Sequence, residues 1–112
     1  MTRAKTTRIG RSMPATAKPT TPPPMTTDEI LAERGRRYGV FMDHAAITQH
    51  LKQVMFTHRG RETLAVDQVE ALEMIAHKIG RILNGDSNYA DSWDDIAGYA
   101  KLVADRLKGV AR

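Results

Sequence analysis

Residues 70–81 read Glu70-Ala-Leu-Glu-Met-Ile-Ala-His-Lys-Ile-Gly-Arg81, and after a break at Asn84-Gly85-Asp86 the chain continues with Asp91-Ser-Trp-Asp-Asp-Ile-Ala-Gly-Tyr99. In both segments the apolar residues recur every three or four positions, which is the spacing of one face of an α-helix. The two segments therefore predict two long amphipathic helices joined by a short loop.

Helical spacing continues before this pair. We expect four helices, over about residues 28–37, 43–56, 65–83 and 91–108. Thr26 and Glu29 have the spacing of a capping box, and Gly39, Gly85 and Gly109 mark helix ends, Gly85 because glycine readily takes the left-handed conformation there. No segment alternates between apolar and polar residues as a half-buried strand does. The sequence thus predicts an all-α fold, a small bundle of about four helices.

The core of such a bundle is expected to be thin, because aromatic residues make up only 5% of the chain. A small domain with few large apolar residues buries more surface by associating with other copies, so oligomerisation is expected to complete the bundle. Leu102 lies outside the main apolar stripe of the fourth helix, so either the third helix or another chain should cover it. The residues expected to face inward are Ile47, Leu51, Val54 and Met55 on the second helix and Trp93, Ile96, Ala100, Val103 and Leu107 on the fourth.

The basic charge of the chain is concentrated in residues 1–25, which carry five basic residues, no acidic residue and all five prolines. Such a composition cannot bury enough apolar surface to offset its ordering entropy. We therefore divide the chain into a disordered basic arm, residues 1–25, and a nearly neutral helical domain, residues 26–112. The arm is either a solvated tether or a weak, salt-sensitive contact for nucleic acid or a partner protein.

Several classes of protein are excluded by what the sequence lacks. It has no cysteine for disulfides or zinc-thiolate sites. It also has no apolar run of the roughly 20 residues that cross a bilayer, and no apolar segment of a secretory signal near the N-terminus. We expect a cytoplasmic protein without membrane contact.

Charged side chains of the last two helices are the candidates for chemistry. On a helical wheel Glu70, His77 and Arg81 fall within about 40° of one another, with Glu73 about 60° away near the apolar boundary. This side is either solvated and without chemistry or the wall of a cleft, and Glu73 lies one turn from His77, within contact reach.

On the fourth helix, Asp91 and Asp95 are one turn apart and share a side with Gly98. Glycine inside a helix costs about 1 kcal/mol relative to alanine, so Gly98 indicates the close approach of another backbone or a ligand. Asp91 has a second interpretation as the N-cap of the helix.

Carboxylates from two helices, without cysteine, suit Mg²⁺ or Mn²⁺. The candidate metal ligands are Glu70, Glu73, Asp91 and Asp95. Lys78 and Arg81 are then candidate phosphate contacts. No glycine-rich phosphate loop, nucleophile elbow or His-Glu-x-x-His pattern is present.

These motifs resemble a family of small phage and prophage proteins of unknown function. The resemblance covers about residues 29–107 and is carried by Arg36-Arg-Tyr-Gly39, Asp43-His44, Glu73-Met-Ile-Ala-His-Lys-Ile-Gly-Arg-Ile-Leu-Asn-Gly-Asp86 and, most distinctively, Asp91-Ser-Trp-Asp-Asp-Ile-Ala-Gly-Tyr99. Membership implies a phage-encoded protein in the host cytoplasm.

That family is in turn distantly similar to all-α nucleotide pyrophosphohydrolases of the MazG kind, whose signature is Glu-x-x-Glu on one helix and Glu-x-x-Asp on the next. Glu70-x-x-Glu73 matches the first half, whereas Asp91-x-x-Asp94 has aspartate in place of the second glutamate. The similarity implies a dimer or tetramer that binds a nucleoside triphosphate with Mg²⁺ or Mn²⁺ and cleaves it between the α and β phosphates.

The resemblance also implies a role for each of these residues. Glu73 and Asp95 would be catalytic, with Glu70 and Asp91 completing the metal ligands. The substrate contacts would be Lys78 and Arg81 on the phosphates and Tyr38 and His44 on the base or sugar. The alternative is a non-catalytic interaction protein that acts on a host protein or a nucleic-acid-associated system.

Overall fold

The computed structural model describes residues 23–112 as four α-helices. They are α1 (Thr27–Tyr38), α2 (Phe41–Met55), α3 (Val66–Asn84) and α4 (Ala90–Leu107), with one turn of 3₁₀-helix at Arg61–Thr63 between α2 and α3. This part of the chain contains no strand, which confirms the predicted all-α fold. Each helix begins and ends within two residues of its predicted bounds. The predicted arm, residues 1–25, lies almost wholly outside the described residues.

Helix α1 begins at the predicted capping box and ends at the predicted glycine. The hydroxyl of Thr26 accepts the backbone N–H of Glu29 at 3.1 Å, and the Glu29 carboxylate accepts the backbone N–H of Thr26 at 2.8 Å. At Gly39 the backbone turns to φ +80°. A Cβ atom there would also collide with the carbonyl of Asn84. Both the dihedral angle and the contact therefore require glycine.

The loop between α1 and α2 is hydrogen-bonded to the end of α3. The side-chain amide of Asn84 donates hydrogen bonds to the carbonyls of Tyr38 and Val40, each at 2.9 Å. Gly85, which ends α3, has φ −133°, so the predicted left-handed conformation is wrong. Glycine is required there because a Cβ atom would collide with the carbonyl of Arg37.

Helix α3 lies between α2 and α4 and packs against both. Small residues allow the close approach: Ala71 and Ala76 are its buried apolar residues, and Gly80 faces His44 and Thr48 of α2. Within residues 23–112 these two alanines are also the only buried residues with apolar side chains. The predicted thin core is confirmed.

The predicted inward face of α4 is only partly correct. Ile96 and Val103 are half-buried, whereas Trp93 is 55% and Leu107 61% exposed. Ala100 is exposed as well. Helix α4 turns Ser92, which is buried, toward α3, so the packed side lies about 100° around the helix from Trp93.

The remaining expectations about the core have mixed outcomes. On α2, Ile47, Leu51 and Met55 are half-buried, but Val54 is exposed. Leu102 is 49% exposed, so α3 of the same chain covers it incompletely. Oligomerisation stays a prediction. None of the helices within residues 23–112 is long and apolar enough to cross a membrane.

Candidate functional site

A groove of about 610 Å³ opens where α1, α2 and α3 meet. Its lining combines partly exposed apolar residues of α1 and α2 with two arginines and two histidines. The loop between α1 and α2 forms one edge of the groove. The lining residues are Leu31, Arg34, Gly35, Tyr38, Gly39, Val40, Phe41, His44, His77 and Arg81.

Three of the four residues predicted to contact substrate line this groove, namely Tyr38, His44 and Arg81. The guanidinium carbon of Arg81 lies 4.0 Å from the centroid of the Tyr38 ring, which is a cation–π geometry. Arg34 adds a second cation. The structure thus brings a stacked aromatic ring and two permanent positive charges to one groove.

The two histidines of the groove contact each other. Nε2 of His44 and Nδ1 of His77 are 3.3 Å apart, with the rings nearly perpendicular. His44 is only 5% exposed, and its other nitrogen, Nδ1, has no hydrogen-bond partner and faces Gly80. Since one imidazole nitrogen must donate and the other accept, the contact requires that at least one ring is neutral.

Both histidines are held in their neutral form. Burial, with a smaller contribution from the guanidinium of Arg81, lowers the pKa of His77 from 6.5 to about 4. Burial likewise lowers the pKa of His44. At neutral pH the positive charge of the groove therefore comes from Arg34 and Arg81 and not from the imidazoles.

The predicted metal ligands lie in separate contacts. Glu73 pairs with Arg61 at 2.7 Å, and Asp95 pairs with Lys78 at 3.0 Å. The hydroxyl of Tyr89 donates to Asp91 at 2.9 Å. Glu70 is exposed and lines a cavity of about 280 Å³ between α3 and α4.

Within residues 23–112 no three His, Asp or Glu side chains are placed to hold a metal ion together. The carboxylates of one chain therefore do not fit the Mg²⁺ or Mn²⁺ site that the resemblance implies. The catalytic roles given to Glu73 and Asp95, and the metal role of all four carboxylates, stay predictions.

Two interpretations of α4 can be compared with the geometry. Asp91 is not the N-cap, because Tyr89 occupies that position and Asp91 is the second residue of the helix. Nothing lies within 4 Å of the point where a Cβ atom of Gly98 would be, so a single chain provides no close neighbour for this glycine.

Lys78, the fourth predicted substrate contact, lies outside the groove. It is 8% exposed, and its ammonium group is directed toward Asp95 of α4. Its helical position one residue after His77 turns it about 100° away from the histidine pair. In the described part of the chain Lys78 thus joins α3 to α4.

The sequence did not single out several lining residues. Arg34 had a usable signal, since it lies four positions before Tyr38 and so shares a side of α1 with it. The contact between His44 and His77 had no signal in the sequence, because these residues are 33 positions apart. His77 and Arg81 were open to interpretation as a solvated side, yet both are half-buried in the groove.

Comparison with curated proteins and with solved structures finds no match. A family model matches residues 25–107, which include all four helices. The chain therefore belongs to the family described as a domain of unknown function, DUF6378.

Proposed function

We propose that this protein binds a nucleotide in the groove between α1, α2 and α3. The observation that supports the proposal is the convergence of Tyr38, His44 and Arg81, three residues expected to contact a nucleotide, on one groove. Its volume of about 610 Å³ is within the range of small-molecule sites, about 300–1,000 Å³.

The lining of the groove has groups for both parts of a nucleotide. Leu31, Val40 and Phe41 supply an exposed apolar surface against which a base can pack. Arg34 and Arg81 supply charge-assisted donors to phosphate oxygens. Of the two neutral histidines, half-buried His77 can hydrogen-bond to a base or sugar without adding charge, whereas His44 is buried and its Nε2 contacts His77.

The proposal does not depend on a bound metal, since the carboxylates of one chain do not fit one. Hydrolysis with Mg²⁺ or Mn²⁺ is the finer prediction of the MazG resemblance, and it would need carboxylates from more than one chain. Incubation with a panel of nucleoside triphosphates and either cation tests it, and release of a monophosphate plus pyrophosphate is the expected result.

Binding itself is tested by isothermal titration calorimetry with the same panel, with and without Mg²⁺. Loss of a charge-assisted hydrogen bond costs about 1.5–3 kcal/mol, so Arg81→Met should weaken binding by about 10-fold or more. The control is Arg59→Met, because Arg59 is exposed, lies beyond the far end of α2 and bonds to Thr63. Equal affinities of the two variants would place the ligand outside the groove.

The second candidate is a phage-encoded interaction protein without catalytic activity. Val40, Phe41 and Met42 favour it, because these adjacent apolar residues are 65–77% exposed. Such a protein would bind no nucleotide of the panel. Deletion of residues 1–25 distinguishes the two further, since groove binding should survive the deletion and a partner held by the basic arm should be lost.

A further inference from the structure

Helix α4 has an apolar side that the rest of residues 23–112 covers only in part, since the indole N–H of Trp93 donates to the carbonyl of Ser87 at 2.9 Å and Ala104 is half-buried. We call it the outer face of α4. Its two large residues, Trp93 and Leu107, are 55% and 61% exposed. Between them lie three alanines at intervals of four and three residues, and two of these alanines are exposed. The outer face consists of Trp93, Ala97, Ala100, Ala104 and Leu107.

Along the outer face, large and small side chains follow the same order whether the helix is read from its N-terminus or its C-terminus. Trp93 lies seven residues before Ala100, and Leu107 lies seven residues after it. Seven residues are two helical turns, or about 10.5 Å. A second α4, turned end for end about Ala100, therefore places Trp93 of each copy near Leu107 of the other, with only alanines at the crossing point. Such self-complementarity is what a two-fold symmetric interface requires.

Charge along α4 selects the antiparallel arrangement. Beside the outer face the first half of the helix carries Asp94, whereas Asp91 and Asp95 lie on the opposite side of α4, where Asp95 pairs with Lys78 of α3. The second half and the residue after it carry Lys101 and Lys108 beside the face, whereas Arg106 lies on the opposite side and pairs with Asp67 of α3. Antiparallel helices place Asp94 of each copy near the basic end of the other, whereas parallel helices place like charges together.

We propose that the outer face of α4 is the contact between two copies of this chain, paired antiparallel about Ala100. The exposed Trp93 and Leu107 are then covered, which adds large buried side chains to a domain whose buried apolar residues are two alanines. This inference is independent of the nucleotide groove, which lies on α1, α2 and the other side of α3.

An 18-residue helix is about 27 Å long, so a single helix pair lies at the low end of interface sizes. The dimer should therefore dissociate on dilution. By sedimentation equilibrium the full chain should double its mass of 12.5 kDa as the concentration is raised toward the order of 100 µM. Ala100→Glu should remain a monomer, because it places two carboxylates at the crossing point. Ala46→Glu, on an exposed position of α2, should dimerise normally.

Disulfide trapping tests the direction of the helices, and the absence of native cysteine makes single-cysteine variants clean probes. Ala100→Cys should oxidise to a covalent dimer, since the two-fold axis passes beside Ala100 and brings the Cα atoms of the two copies within the disulfide range of about 4.4–6.8 Å. Trp93→Cys alone should not, because its two copies would lie about 21 Å apart along the helices. A mixture of Trp93→Cys and Leu107→Cys should form the mixed dimer.

Three results would overturn the proposal. They are a wild-type chain that stays monomeric over the whole concentration range, a Trp93→Cys dimer that forms as readily as the mixed one, and an Ala46→Cys dimer that forms as readily as that of Ala100→Cys.

Discussion

Gly80→Ala should destabilise the protein although it replaces glycine in the middle of a helix. A Cβ atom at Gly80 would lie 2.5 Å from the Cγ2 methyl of Thr48 and 3.0 Å from Nδ1 of His44. Thr48 cannot easily turn away, because its hydroxyl donates to the carbonyl of His44 at 3.0 Å and is buried. The added methyl group therefore pushes α2 and α3 apart.

The magnitude follows from two opposing effects. Alanine favours a helix interior over glycine by about 1 kcal/mol. Overpacking a close contact typically costs about 1–3 kcal/mol. Gly98→Ala provides the matched control, because Gly98 is also inside a helix but has nothing within 4 Å of its Cβ position. The helix-propensity gain is the same for both variants, so the difference between them isolates the cost of the contact.

The assay is urea unfolding followed by circular dichroism at about 222 nm, with the free energy of unfolding extrapolated to water. Gly98→Ala should be more stable than the wild type by about 1 kcal/mol, and Gly80→Ala should be about 1–3 kcal/mol less stable than Gly98→Ala. If the two variants gained equal stability, the close approach of α2 to α3 at Gly80 would be incorrect. A gain confined to Gly80→Ala would contradict it more strongly.

Three further outcomes are expected. Stability should fall by about 1–2 kcal/mol, after allowance for solvent screening, as the pH drops from 6.5 toward 4, because the unfolded chain binds a proton at His77 that the folded chain does not. In pH-resolved urea titrations His77→Gln should reduce this dependence and leave the part due to His44, whose pKa burial also lowers. Asn84→Ala should lose about 1–3 kcal/mol in thermal or urea unfolding, since its two side-chain hydrogen bonds to the carbonyls of Tyr38 and Val40 are removed. An unchanged midpoint would show that the loop is not held there. Thr26→Ala should cost about 1 kcal/mol and should increase hydrogen exchange in the first turn of α1 only, a localisation that uniform exchange would refute.

Features that depend on neighbours along the chain were predictable from the sequence. The capping box at Thr26, the end of α1 at Gly39 and the bounds of all four helices follow from local spacing, because a helix is built from contacts three and four residues apart. The choice of Tyr38 and His44 as ligand contacts came from the resemblance of the motifs, and that of Arg81 from the expected metal and phosphate chemistry of the carboxylates. Their convergence on one groove was not predictable from periodicity.

Features that depend on which helix faces which were decided by the tertiary structure. Periodicity placed Trp93 inward, but α3 packs against the side of α4 that carries Ser92, and an apolar stripe does not say which neighbour will cover it. The same packing separates Glu73 from Asp95 into two ion pairs and joins His44 to His77 across 33 positions. The sequence by itself determined the helices and their ends, since these arise from local hydrogen bonds and backbone sterics. The rotation of each helix about its axis, and with it the groove, was set only by the close approach of α2 and α4 to the small residues of α3.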